Sequence, residues 1–193
     1  MEKAVLLNPS VLADLGKRAL LVTGRHSAKV NGSQDAFTGK LDELGISWYL
    51  FDDVENNPSI DTIRRAAAFA KEKGVDFVVG IGGGSPMDAA KAIALLCTDD
   101  LDDEQLFKGL IKSLCIVAVP TTAGTGSEVT KVSVLTNVHA GTKQSINTPL
   151  IFPVYAFADP SFTESVSQTV TIDTAIDALS HAVEAICRNS RRL

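Results

Sequence analysis

Short, continuous apolar runs recur along the first 120 residues, and a stretch of helical length separates each from the next. Ala19-Leu20-Leu21-Val22-Thr23 ends at Gly24. A strand buried on both faces of a parallel sheet reads this way, as an unbroken apolar run rather than an alternation. Ser33 to Leu44 then carries Phe37, Leu41 and Leu44 on one helical stripe. The theme repeats: Ile46 to Phe51 as strand, Ile60 to Lys73 as helix, Phe77 to Ile81 as strand, Pro86 to Cys97 as helix and Cys115 to Val119 as strand. Strands alternating with helices require right-handed crossovers, which gives an α/β fold with a doubly wound parallel sheet. After Thr122 the pattern changes. Lys131 to Thr136 reads as a strand, Asn137 to Gln144 as a polar turn, and Val154 to Ala158 as a strand closing on Asp159-Pro160. Thr169 to Ile186 is helical, with Ile172, Ile176, Leu179, Val183 and Ile186 on one stripe. No internal repeat or low-complexity tract interrupts the chain.

Charge narrows the partners. The formal net charge of -5 argues against nucleic acid and against an anionic membrane surface, both of which need clustered Lys and Arg. Arg188, Arg191 and Arg192 form the only basic cluster and read as a solvated helix end, while the acidic stretch Thr98 to Glu104 reads as a solvated loop. Three cysteines, Cys97, Cys115 and Cys187, fit reduced core thiols better than a disulfide framework. No apolar run reaches the length of a membrane span, and Met1-Glu2-Lys3-Ala4 lacks a signal-peptide pattern. The expectation is a cytoplasmic protein.

Two loops carry the chemistry expected of a nucleotide site. Gly80-Ile81-Gly82-Gly83-Gly84-Ser85-Pro86-Met87-Asp88 sits between a strand and a helix, where open α/β sheets bind ligands. Ser85 can cap the helix, Pro86 suits its first position, and Asp88 completes a capping-box-like arrangement. Consecutive glycines admit a bulky anion without Cβ clashes, and free N–H groups at the helix start favour a phosphate. The loop thus reads as a pyrophosphate cradle; its bland alternative is a tight, capped turn. It is neither G-x-G-x-x-G nor a P-loop, so the inference rests on context. Pro120-Thr121-Thr122-Ala123-Gly124-Thr125-Gly126-Ser127-Glu128 follows the next strand and lies on the same sheet edge. Its hydroxyls can bind ribose, phosphate or a carboxamide. Alone it would be an ordinary loop.

On the last helix, Asp177 and His181 stand four residues apart and share one face, so a carboxylate oxygen and a ring nitrogen can reach one cation. Such a pair is also a common helix-surface contact. A mononuclear centre usually takes three or four protein ligands, and the twelve residues after His181 hold no further His or Asp.

Together, Gly82-Gly83-Gly84-Ser85-Pro86-Met87-Asp88-Ala89-Ala90-Lys91, Pro120 to Thr130, and Asp177-Ala178-Leu179-Ser180-His181-Ala182-Val183-Glu184-Ala185 resemble the iron-dependent (group III) alcohol dehydrogenases in order and separation. The resemblance implies a Rossmann-like nucleotide domain, residues 1–162, followed by an all-helical domain whose first helix falls in residues 163–193, with the active site in the cleft between them. The implied reaction is reversible oxidation of an alcohol to an aldehyde or ketone, with hydride passing to NAD or NADP. A divalent metal, Fe2+ or sometimes Zn2+, serves as Lewis acid. Asp177 and His181 look like the first two ligands. The family takes two further histidines from the helical domain, beyond this sequence. No catalytic residue is assigned apart from the metal ligands.

Carried over in the same way, Gly82, Gly83, Gly84, Ser85, Asp88, Thr121, Thr122 and Thr125 become cofactor-binding residues. Asn57 aligns with a position near the cofactor and Lys143 with a lysine near the nicotinamide ribose. Members that prefer NAD often carry Asp just after the first strand, where it accepts the ribose 2′-OH and repels a 2′-phosphate. This sequence has Gly24 there, followed by Arg25, Ser27 and Lys29, which could accommodate a phosphate. NADP is therefore expected over NAD. His26 and His139 match no ligand position and are expected on the surface or beside the cofactor. A homo-oligomer is expected, since the apolar stripe of the last helix needs cover. Two other readings stay open: a standalone dinucleotide-binding module without catalysis, and a lyase resembling the dehydroquinate synthases.

Overall fold

The computed structural model describes residues 9–102, 105–107, 112–138 and 140–189. Met1 to Ala4, Glu104 and His139, with the side chains of Arg188, Arg191 and Arg192, lie outside the described residues. Strands β1 (Arg18–Thr23), β2 (Ser47–Phe51), β3 (Phe77–Gly82), β4 (Cys115–Pro120) and β7 (Tyr155–Ala156) form one sheet in the order β2-β1-β3-β4-β7. Every pairing in it is parallel. Helices α1 (Ser27–Val30), α2 (Ser33–Glu43), α3 (Ile60–Lys73) and α4 (Gly84–Leu96) provide the crossovers.

Side-chain alternation in the strands feeds two cores, one on each face. Ala19 and Leu21 of β1 and Phe77, Val79 and Ile81 of β3 pack with Phe37 and Leu41 of α2. Leu20, Val22 and Val78 point the other way, toward Ile63 and Ala66 of α3 and Ile93 of α4. Both faces being covered explains the unbroken apolar runs. α3 spans the expected residues: Ser59 accepts from the Thr62 N–H at its start, and Gly74 ends it at φ 62.

The chain leaves β1 toward β2 and then returns to place β3 on the other side of β1. The strand order therefore reverses between β1 and β3, and the crevice beyond their carboxyl ends is the position where open α/β sheets take ligands.

The strand expected over Lys131 to Thr136 is present, but the residues after it depart from the expectation. Strands β5 (Val132–Asn137) and β6 (Thr142–Asn147) form an antiparallel hairpin, so the polar turn expected over Asn137 to Gln144 is half strand. β6 eludes pattern reading because only Ile146 among its six residues is buried. The hairpin lies over α4, with Leu135 and Ile146 in the α4 core, which accounts for the burial of that helix on nearly every side. The thiols also differ from expectation. Cys97 is half-buried, while Cys115 and Cys187 are exposed and none is in a disulfide.

The last helix, α5 (Gln168–Asn189), is a few residues longer than its apolar stripe. Ile172, Ile176, Leu179, Val183 and Ile186 are 50 to 68 % exposed. Among the described residues no helix is long and apolar enough to cross a membrane.

Candidate functional site

β3 runs straight into the glycine loop. Gly80 lies so close to α4 that a Cβ there would sit 2.9 Å from the Ala90 Cβ, and Gly82 adopts φ +147 with a virtual Cβ 2.7 Å from the Pro86 Cγ. Both positions exclude any larger residue, and together they bring the start of α4 to the sheet edge. Gly83, in extended conformation, caps the helix, which begins at Gly84. That corrects the expected capping by Ser85. The Ser85 hydroxyl instead accepts from the Asn57 N–H at 3.1 Å. Asp88 makes no capping box either: it accepts from the Ser127 hydroxyl at 2.8 Å and from the Val134 N–H at 3.1 Å. The reason is the glycine itself, which lets the helix start two residues earlier and frees both side chains to bind distant segments.

The threonine loop packs directly on the glycines. The Thr121 N–H donates to the Gly82 carbonyl at 2.9 Å, and the Thr122 and Thr125 side chains lie 3.2 Å from where Cβ atoms of Gly83 and Gly84 would stand. Beyond it, a 3-10 turn at Ser127–Val129 leads into β5. Lys91 of α4 is wholly buried beneath this turn. Its Nζ donates to the Ser127 carbonyl at 2.7 Å, the Ser127 hydroxyl at 2.8 Å, the Val132 carbonyl at 2.8 Å and the Thr130 hydroxyl at 3.3 Å. Burial pushes Lys91 down to about 8, against the pull of Asp88 and Glu128. Burial likewise raises the Asp88 carboxyl, opposed by Val134, Ser127 and Lys91. Neither Lys91 nor Ser127 received a role from sequence, although both fall inside the resembling stretches.

Asn57 joins the site from the loop before α3. It is non-glycine yet left-handed, at φ 56. Its carbonyl accepts from the Thr136 hydroxyl at 2.9 Å and its Oδ1 from the Lys143 Nζ at 2.8 Å. Ser85, Asn57 and Lys143, far apart in sequence, are thus connected through Asn57.

At the end of β1, a Cβ on Gly24 would touch only the Val54 carbonyl, at 3.7 Å. Ser27 and His26 line a cavity of about 340 Å³ together with Gly83, Thr121 and Thr122. The two cations expected to face a phosphate are already engaged. Arg25 Nε donates to Asp53 at 2.9 Å, and Lys29 Nζ to Asp52 at 2.7 Å. Arg65 also reaches Asp53, at 3.3 Å. The hydrogen bond and charge of Arg25 hold the Asp53 carboxyl below the usual range. Sequence missed these carboxylates because they follow β2, almost thirty residues on.

A second cavity, of about 520 Å³, lies on the other side of the glycine loop. Asn57, Ser85, Asp88 and Thr125 line it, and so do Asp177 and His181 of α5. The Asp177 Oδ1 and His181 Nε2 stand 3.6 Å apart, both side chains about half exposed. A carboxylate oxygen and an imidazole nitrogen suit Fe2+ or Zn2+. Among the described residues no group of three or more His, Cys, Asp and Glu side chains gathers around a common point. A groove between α3 and the residues after α4, lined by Lys71 and Asp100 among others, shares no residue with these loops.

Comparison with known proteins follows the same lines. The family model for iron-containing alcohol dehydrogenases matches residues 2–160. The chain is 38 % identical over 170 residues to a long-chain primary alcohol dehydrogenase of Thermoanaerobacter ethanolicus, covering 86 % of this chain and 43 % of that protein. It is 36 % identical over 176 residues to an NADPH-dependent butanol dehydrogenase of Clostridium saccharobutylicum, covering 88 % and 45 %. An iron-containing alcohol dehydrogenase of Thermotoga maritima, solved by crystallography, superposes with a TM-score of 0.87 at 48 % identity, over 95 % of this chain and 51 % of that one. The chain thus spans about half the length of these relatives. By its family model and its relatives, it belongs to the iron-containing alcohol dehydrogenases.

Proposed function

We propose that these 193 residues form the nicotinamide-dinucleotide half of an alcohol dehydrogenase that passes hydride between a primary or secondary alcohol and NADP. The observation that carries the reading is the cavity of about 520 Å³, in which glycine-loop residues Gly84 and Ser85 share one space with Asp177 and His181. A cofactor lying across the glycine loop would have its adenosine in the cavity of Ser27 and its nicotinamide end near the helix α5 pair.

In this reading the N–H groups at the start of α4 hold the pyrophosphate, with the macrodipole favouring its charge. Thr121, Thr122 and Thr125 supply hydroxyls along the cofactor, and Lys143, already held by Asn57, offers an ammonium near the nicotinamide ribose. Gly24 leaves room for a 2′-phosphate, which Arg25 and Lys29 can meet by exchanging their exposed pairs with Asp53 and Asp52. Exposed ion pairs of this kind contribute little and are screened by salt, so the exchange costs little. Asp177 and His181 would hold a divalent cation, Fe2+ or Zn2+, whose Lewis acidity lowers the pKa of an alcohol oxygen. Two donors make half a mononuclear site, so in this reading the remaining ligands are not supplied by these 193 residues. The domain boundary near residue 162 and the covering of the α5 stripe belong to the same proposal, as does a cytoplasmic, oligomeric parent enzyme acting on small alcohols and aldehydes.

The test is to purify the 193-residue chain, verify its mass, and assay it with NADP, Fe2+ or Zn2+ and a primary alcohol. Cofactor binding with negligible turnover is expected. Metal-dependent turnover at rates typical of whole enzymes would contradict the half-site.

A further inference from the structure

We infer that Lys91 is a positioning residue: it clamps the segment 127–132 that walls the nicotinamide end of the cleft, and cofactor affinity at that end depends on the clamp. This rests on the dinucleotide reading above. Three observations support it.

First, the ammonium is spent entirely on one segment. Its contacts run from Ser127 at one end to Val132 at the other, and two of them are backbone carbonyls. Second, Lys91 is wholly buried and is not among the residues lining the cavity, whereas Ser127, Thr130 and Val132 are. Its influence must therefore pass through them. Third, Asp88 stands three residues before it on the same face of α4 and grips the same wall. The Ser127 hydroxyl accepts from Lys91 and donates to Asp88, both at 2.8 Å, while the second Asp88 oxygen holds the Val134 N–H. A cation and a carboxylate that share one hydroxyl fix its orientation. Once the ammonium goes, the Ser127 carbonyl keeps only the long contacts from the Thr130 N–H at 3.4 Å and hydroxyl at 3.5 Å, and the Val132 carbonyl loses its 2.8 Å donor, so the loss is felt by the loop.

The experiment compares the full 193-residue chain with Lys91→Met, first checking both by circular dichroism. NADPH and ADP are titrated, ADP lacking the nicotinamide riboside, and hydrogen exchange is followed in peptides spanning 125–134 and 60–73. If the wild type prefers NADH, NADH replaces NADPH. Losing hydrogen bonds from a charged donor should weaken dinucleotide binding about tenfold and leave ADP within about twofold. Exchange should speed up in 125–134 and stay unchanged in 60–73. Equal weakening of both ligands, unchanged dinucleotide affinity, or unchanged exchange in 125–134 would each overturn the proposal. Should Lys91→Met fail to fold, Lys91→Gln, which keeps two donors, replaces it with the same readouts. If the wild type binds no nucleotide, the dinucleotide reading fails, and exchange in 125–134 alone decides the clamp.

Discussion

The Thr174 carbonyl of α5 lies so close to Gly124 of the threonine loop that a Cβ at Gly124 would sit 2.4 Å from it. This contact seats the helix on the threonine loop. Thr174, Asp177 and His181 fall at spacings of three and seven, on one face of α5, so the same contact brings the carboxylate and imidazole over the cleft. Gly124→Ala should therefore lift α5 without damaging the sheet. Hydrogen exchange over 168–189 should accelerate while β1 and β3 keep their protection; equal protection in α5 would show that the close approach is not what holds it.

Gly82→Ala places a methyl group against Pro86 at a φ that L-residues rarely adopt. Overpacking and backbone strain should lower stability by about 2 kcal/mol, measured by urea unfolding, and should weaken NADPH binding as α4 shifts away from the crevice.

The sheet, its crossovers and the glycine loop were legible because each rests on a local signal: an apolar run, a helical stripe, a glycine needed for close approach. The bonds that assemble the cleft were not. Ser85 to Asn57, Asn57 to Lys143, and Lys91 to Ser127 join residues 28, 86 and 36 positions apart, and no periodicity marks such pairs. Ser85 and Asp88 illustrate the cost of local logic. Their spacing fits a capping box, yet a glycine cap released both for tertiary contacts. Strand β6 escaped for the opposite reason, being almost wholly solvated.

Glu55 holds the loop that carries Asn57. Its Oε1 accepts from the Ser59 N–H at 2.9 Å, the Ser59 hydroxyl at 2.7 Å and the Thr62 hydroxyl at 3.0 Å. Burial raises the carboxyl, but the Ser59 and Thr62 hydrogen bonds outweigh it and leave the pKa below the ordinary 4.5. A depressed carboxylate stabilises the fold above its unfolded pKa and loses that contribution as pH falls through its folded value. Glu55→Gln should thus cost about 1 kcal/mol at neutral pH, and the difference from wild type should close below pH 4.5. Thermal melts across pH 3 to 7 would reveal a constant gap if Glu55 played no such part.

Asp53 holds Arg25, and in the proposed reading it competes there with a 2′-phosphate. Asp53→Asn should release Arg25 and tighten NADPH about threefold, the scale of an exposed ion pair, with NADH unaffected. Fluorescence titration at two ionic strengths checks this, since the gain should shrink with salt. A parallel gain for NADH would mean that Arg25 does not address the phosphate.

The most direct test of the account is calorimetric titration of the chain with NADPH and with NADH. Binding of one molecule per chain, tighter for NADPH, is the expected result. No binding of either would remove the dinucleotide crevice, and tighter binding of NADH would contradict the role assigned to Gly24.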